Sequence, residues 1–112
     1  MKKDDTVYLR HILDAIEQIR RYLAGVSYEQ FLQNHLTRDG VVRQLEIVGE
    51  AAANISDAFR AAHAEIPWSK VVGIRNRLIH AYFQVNLAIV WDTAQTDLPV
   101  LKQHIESALK SS

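Results

Sequence analysis

Apolar residues recur along the chain at steps of three and four, with polar residues between them, which is the pattern of helices that each bury one face. Leu9, Ile12, Leu13, Ile16, Ile19 and Leu23 form the first such stripe. Asp5 is placed to cap its start and Gly25 to end it, so a first helix is expected over about residues 5–24. Ser27 followed three residues later by Gln30 is a capping-box pattern. It opens a short helical turn through Phe31 and Leu32 that lids one end of the molecule. Thr37 is the expected cap of a long second helix, whose stripe of Val41, Leu45, Val48, Ala52, Ile55 and Phe59 carries it to about His63. Gly49, Ala51, Ala52 and Ala53 lie along the middle of that helix. Small side chains admit a close neighbour, and a tight crossing offsets the roughly 1 kcal/mol that a mid-helix glycine costs relative to alanine. Pro67 fits the first turn of a third helix from about 67 to 82. Asn86 can cap a fourth that runs to about Leu109, with a kink or restart at Pro99 after Asp97. No repeat or linker interrupts the pattern, which predicts a single domain over residues 1–112. Its class is all-α, an up-and-down four-helix bundle with a short extra helix.

Charge and composition then narrow the function. Lys plus Arg and Asp plus Glu both number 13, for a formal net charge of zero. A protein that coats nucleic acid through bulk charge is thereby disfavoured, and contact with RNA has to come from a local basic cluster. The chain has no cysteine, which excludes a disulfide framework and a thiolate metal site. His11, His35, His63 and His104 show no metal-ligand spacing with one another or with acidic partners, so no metal is expected. The opening Met-Lys-Lys is followed by Asp4 and Asp5 instead of an apolar run, and no stretch approaches transmembrane length. A cytoplasmic address without membrane association is the expectation. In so small a domain an exposed apolar face calls for a partner, and a homodimer is expected. Trp68 and Trp91 fit core or interface anchors better than base-stacking platforms.

The stretch with chemical content is Arg75-Asn76-Arg77-Leu78-Ile79-His80-Ala81-Tyr82. Breaking an RNA strand without a metal needs a base for the 2′-hydroxyl proton, an acid for the leaving oxygen and a cation over the phosphorane. Histidine supplies either proton transfer near neutral pH, and the arginine fork matches phosphate oxygens. Asn76 can orient or assist. On one straight helix Asn76 and His80 share a face, whereas Arg75 and His80 point roughly 140° apart. Their convergence requires distortion near the helix end, the reach of the arginine, or a second copy across a two-fold axis. Arg75 and Tyr82 do lie on one side, which puts Tyr82 at the mouth of such a cleft. Taken on spacing alone, the plainer account is that Arg75 and Arg77 extend over a solvated face while His80 caps carbonyls at a helix end.

The run matches R-x-x-x-x-H-x-Y, and with it the chain resembles the HepT-like members of the HEPN superfamily. Their signature is an arginine, four to six residues and a histidine, commonly with a polar residue after the arginine. The likeness extends through Tyr8-Leu9-Arg10-His11-Ile12-Leu13, Ile47-Val48-Gly49-Glu50-Ala51, Ile66-Pro67-Trp68 and Val90-Trp91-Asp92. The resemblance implies a metal-independent endoribonuclease acting on single-stranded or transfer RNA in a cleft between two protomers, with no cofactor. Arg75 and His80 are then the catalytic pair and Asn76 their support. It further implies a toxin neutralised by a minimal nucleotidyltransferase antitoxin that attaches AMP to Tyr82, placing charge and bulk where an RNA phosphate must sit. Glu50 is placed to pair with Arg75 or Arg77, or equally stands as an exposed carboxylate on a helix face. Two other readings share this fold: a HEPN module that binds a nucleotide or partner without cutting RNA, and a dimeric scaffold whose motif only stabilises an interface.

Overall fold

Helix α1 (Lys3–Leu23) lays its apolar stripe along α3 (His35–Ala53), and the centre of the core lies in that contact. Leu9 and Ile12 from α1 are fully buried there, as are Val41, Leu45 and Val48 from α3. The computed structural model describes the backbone of residues 3–80 and 84–110 and the side chains of residues 5–77 and 86–110. After α3 come α4 (Asp57–Ala62), α5 (Trp68–Val72) and α6 (Ile74–Leu78). Strands β1 (Ile79–His80) and β2 (Gln84–Val85) form a two-residue antiparallel ladder, with Ile79 paired to Val85 and His80 to Gln84. Helix α7 (Leu87–Asp92), a π-helical segment (Thr93–Asp97) and α8 (Leu98–Lys110) follow without a break. The fold is all-α apart from that ladder. Among the described residues no helix is long and apolar enough to cross a membrane.

The start and end signals of the first elements act as the sequence suggests. Gly25 takes a positive φ of 72°, which suits glycine and turns the chain out of α1. Ser27 and Gln30 form the reciprocal capping box at the head of α2 (Tyr28–Gln33). Fully buried Phe31 then fixes α2 to the core and packs its ring 5.3 Å from that of Trp91 on α7. Asn86 caps α7 by accepting a hydrogen bond from the Ile89 amide at 3.1 Å. Both tryptophans are packing residues: Trp68 is 7% exposed and donates its indole N–H to the His63 carbonyl at 3.0 Å.

Four boundaries differ from the sequence expectation, each for a local reason. Helix α3 is capped by Asn34 and not by Thr37, since the Asn34 carboxamide accepts the Thr37 amide at 3.0 Å. The long second helix ends at Ala53 instead of near His63. There the Asn54 side chain donates to the Glu50 carbonyl, Arg60 donates to the Ala52 carbonyl at 2.7 Å, and Ser56 caps a new helix, α4. These polar groups supply partners for helix ends that would otherwise lack them. The third helix divides at Gly73 into α5 and α6 and stops at Leu78, well short of residue 82. Pro99 produces no restart after Asp97. The wider π turn before it accommodates a residue that lacks an amide hydrogen and crowds the preceding turn.

Asp5 is not the cap of α1, which begins at Lys3. It is 2% exposed, and its carboxylate accepts the Ser56 amide at 2.8 Å and the Ser56 hydroxyl at 2.7 Å. The Ser56 hydroxyl oxygen in turn accepts the Phe59 amide at 3.2 Å. One carboxylate thus ties the head of α1 to the junction of α3 and α4. Asp5→Ala should lower unfolding free energy by about 2–3 kcal/mol, the scale of a lost charge-assisted hydrogen bond with buried donors left unpaired. Ser56→Ala should cost about 1–2 kcal/mol. Urea denaturation of the single and double variants checks this: the double variant should lose clearly less than the sum, and strict additivity would show that the contact is not the source.

Candidate active site

The segment carrying the candidate catalytic residues is held against α3 by a contact between backbones. Trp68, Val71 and Ile74 are buried on the inner side of α5 and α6, at 7%, 4% and 3% exposure. Where these helices cross α3 they meet buried Gly49. A β-carbon at Gly49 would lie 3.5 Å from the Val72 carbonyl oxygen, 3.6 Å from that of Val71 and 3.8 Å from the Arg75 amide nitrogen. The tight crossing expected at the small residues of α3 is present, and it delivers the main chain of Arg75.

From that position the Arg75 side chain, 58% exposed, brings its Nε to 3.8 Å from a carboxylate oxygen of Glu46, itself 22% exposed. The acidic partner is therefore Glu46, one turn before the residue expected. Glu50 is exposed, and no ion pair reaches it among the described residues; its carbonyl, not its carboxylate, is engaged, by Asn54. Asn76 is exposed beside Arg75. Arg77 leaves α6 on the other side, about 200° round the helix. It lines a cavity of about 330 Å³ with Val71, Leu98, Leu101 and His104. Its Nε is buried without a hydrogen-bond partner among the described residues, so Arg77 belongs to packing against α8 more than to a substrate surface.

His80 is not on the helix that carries Arg75. Its backbone lies on β1, two residues beyond the end of α6, paired with Gln84. The 140° separation expected for one continuous helix does not apply, because the regular turn ends between the two residues. Of the three routes to convergence, distortion at the helix end is the one the backbone displays. Tyr82 lies outside the described residues. Among the described residues no group of three His, Asp or Glu side chains is placed to hold a metal ion.

The family model described as ribonuclease HepT-like matches residues 12–108, nearly the whole chain and all of this site's described residues. The chain belongs to the HepT-like ribonuclease family. It is similar to a probable ribonuclease HepT of Thermococcus cleftensis, 41% identical over 110 residues that cover 98% of this chain and 100% of the relative. A putative RNase of Caldanaerobacter subterraneus subsp. tengcongensis is 38% identical over 103 residues, covering 92% of each chain. A putative RNase of Methanocaldococcus jannaschii is 34% identical over 105 residues, covering 94% of this chain and 96% of the relative. No solved structure matches. Membership makes the chain a ribonuclease, so the exposed guanidinium on α6 and the histidine after it acquire a reaction to serve.

Gly49 gives this placement a direct test. A methyl group there meets the opposing backbone at ordinary contact distance. Gly49→Ala should therefore stay within about 1 kcal/mol of wild type, helped by the better helix propensity of alanine. Gly49→Leu should cost about 1–3 kcal/mol by overpacking and push α6 off α3. Ribonuclease activity should survive in the first variant and collapse in the second under conditions where both are folded by circular dichroism. Full activity in a folded Gly49→Leu protein would refute the positioning role.

Proposed function

We propose that this HepT-like ribonuclease is a metal-independent endoribonuclease toxin that cuts RNA through Arg75 and His80. The observation that carries the reading is the placement of Arg75: a guanidinium fixed at its backbone, more than half exposed, and followed at the exit from α6 by the only histidine of the matching motif. In this scheme the Arg75 fork holds the scissile phosphate and offsets the charge that builds on its oxygens. His80 takes the proton from the 2′-hydroxyl as the 2′-oxygen bonds to phosphorus, and a proton is delivered to the 5′-oxygen as its bond to phosphorus breaks. Asn76, exposed next to Arg75, orients the phosphate or the imidazole.

The HEPN resemblance supports the remaining parts of the proposal. Helices α1, α3, α5–α6 and α7–α8 are the legs of an up-and-down four-helix bundle. Two copies form a homodimer whose interface is the RNA cleft, and the protein works in the cytoplasm. A minimal nucleotidyltransferase antitoxin neutralises it by attaching AMP to Tyr82. An adenylate phosphate near Arg75 competes with the substrate phosphate for the same cation, which blocks cleavage without a change of fold.

Arg75→Ala and His80→Ala should each lower RNA cleavage by roughly 10²- to 10⁴-fold, the range for a lost proton-transfer or charge-stabilising group, while remaining folded at the wild-type oligomeric mass. Cleavage by His80→Ala at the wild-type rate would sink the catalytic assignment and leave a binding module in its place. Intact mass and peptide analysis after coexpression with a minimal nucleotidyltransferase should find an adenylate-sized increment on Tyr82. A neutralised but unmodified protein would refute that part of the scheme.

A further inference from the structure

A carboxylate beside a phosphate-holding arginine is a cost to any site built only to bind RNA, because it repels the substrate it stands next to. Glu46 occupies that place, 3.8 Å from the Arg75 Nε. Stability does not account for it. The pair is loose, its arginine is 58% exposed, and ion pairs of that kind add little to a folded protein. Its location is more informative. Glu46 lies one turn before Gly49 on α3, on the side of the helix that α6 crosses, and Gly49 is where the Arg75 amide nitrogen comes closest to α3. One helix therefore holds Arg75 at two points, the main chain at Gly49 and the side chain at Glu46.

We propose that Glu46 is a positioning residue for Arg75, orienting its guanidinium for the transition state at the expense of ground-state affinity for RNA. The inference rests on the reading of Arg75 as the cation over the phosphate. Arginine has five donors, so a carboxylate at its Nε edge leaves others for phosphate oxygens. It restricts the fork to one orientation before substrate arrives. Without the carboxylate, an exposed arginine samples many rotamers, and the phosphate meets it in geometries that bind but do not stabilise the phosphorane. Arg77, two residues on, has no such partner and serves no such purpose: its Nε is buried on the opposite side of α6.

The experiment is steady-state cleavage of a fluorescent single-stranded RNA oligonucleotide by the full-length wild type, Glu46→Gln, Glu46→Asp and Glu50→Gln, with binding measured on the 2′-O-methyl form of the same RNA. In Glu46→Gln, kcat should fall by about 10- to 100-fold through misorientation. KM and the dissociation constant of the uncleavable RNA should stay level or improve, by about five-fold at most. Glu46→Asp should recover part of kcat, and Glu50→Gln should match wild type. An unchanged kcat in Glu46→Gln overturns the inference, as does a joint worsening of kcat and KM or an equal loss in Glu50→Gln. Thermal denaturation of each variant separates misorientation from unfolding: Glu46→Asp still reports on orientation if the glutamine variant is unstable. Failure of the underlying reading looks different, since Arg75→Ala would then cleave like wild type.

Discussion

Where α5 and α6 cross α3, no side chain stands between the two backbones. The bare Cα of Gly49 lies against the carbonyls of Val71 and Val72 and the amide of Arg75, and the functional segment depends on that approach. A larger residue on α3 would lift α6 away. Ile74 would lose its burial, and the Arg75 side chain would leave the neighbourhood of Glu46. The glycine weakens α3 as an isolated helix by about 1 kcal/mol, and the apolar surface of Trp68, Val71 and Ile74 brought under cover more than offsets this. Packing energy and site geometry thus have the same origin here.

The ends of the helices follow a second constraint, that backbone groups released at a break must find partners. Asn34 meets it twice, donating its amide to the carbonyls that close α2 and accepting the Thr37 amide that opens α3. Between α3 and α4 the work is shared by Asn54, Arg60 and Ser56, with Asp5 reaching across from α1 to hold Ser56. These contacts are local to their joints, yet they fix how far α3 extends. That in turn fixes the position of Gly49 and Glu46 relative to α5 and α6.

Much of this was legible in the chain. The buried stripes of α1 and α3, the capping box at Ser27 and Gln30, the exit at Gly25 and the cap at Asn86 are all local patterns, and local patterns survive folding. What escaped was set by competition or by distance. Thr37 is a good cap, but Asn34 lies three residues earlier and a helix has one start. Ile55 and Phe59 stay in phase with the stripe of α3, so periodicity does not reveal the break at Asn54, and both are buried on either reading. The choice between Glu46 and Glu50 was open to sequence reasoning that took Gly49 as the crossing point. Glu46 lies about 60° from Gly49 around the helix and Glu50 about 100°, so the earlier carboxylate is nearer the arriving helix.

The largest change concerns the relation of Arg75 to His80. In a continuous helix a gap of four, five or six residues would swing the second side chain by about 100° at each step, and one catalytic geometry would not tolerate all three. The HEPN pattern allows that range. The backbone here shows how this is possible: α6 ends at Leu78, and His80 stands on an extended segment paired to Gln84. Beyond the helix end, inserting or removing a residue no longer rotates the histidine with the helical phase, because the ladder sets its placement. Arginine and histidine are thus fixed by separate means, the first by α3 through Gly49 and Glu46, the second by the pairing of β1 with β2. A motif with a variable gap is the pattern expected of two residues positioned by different parts of the fold.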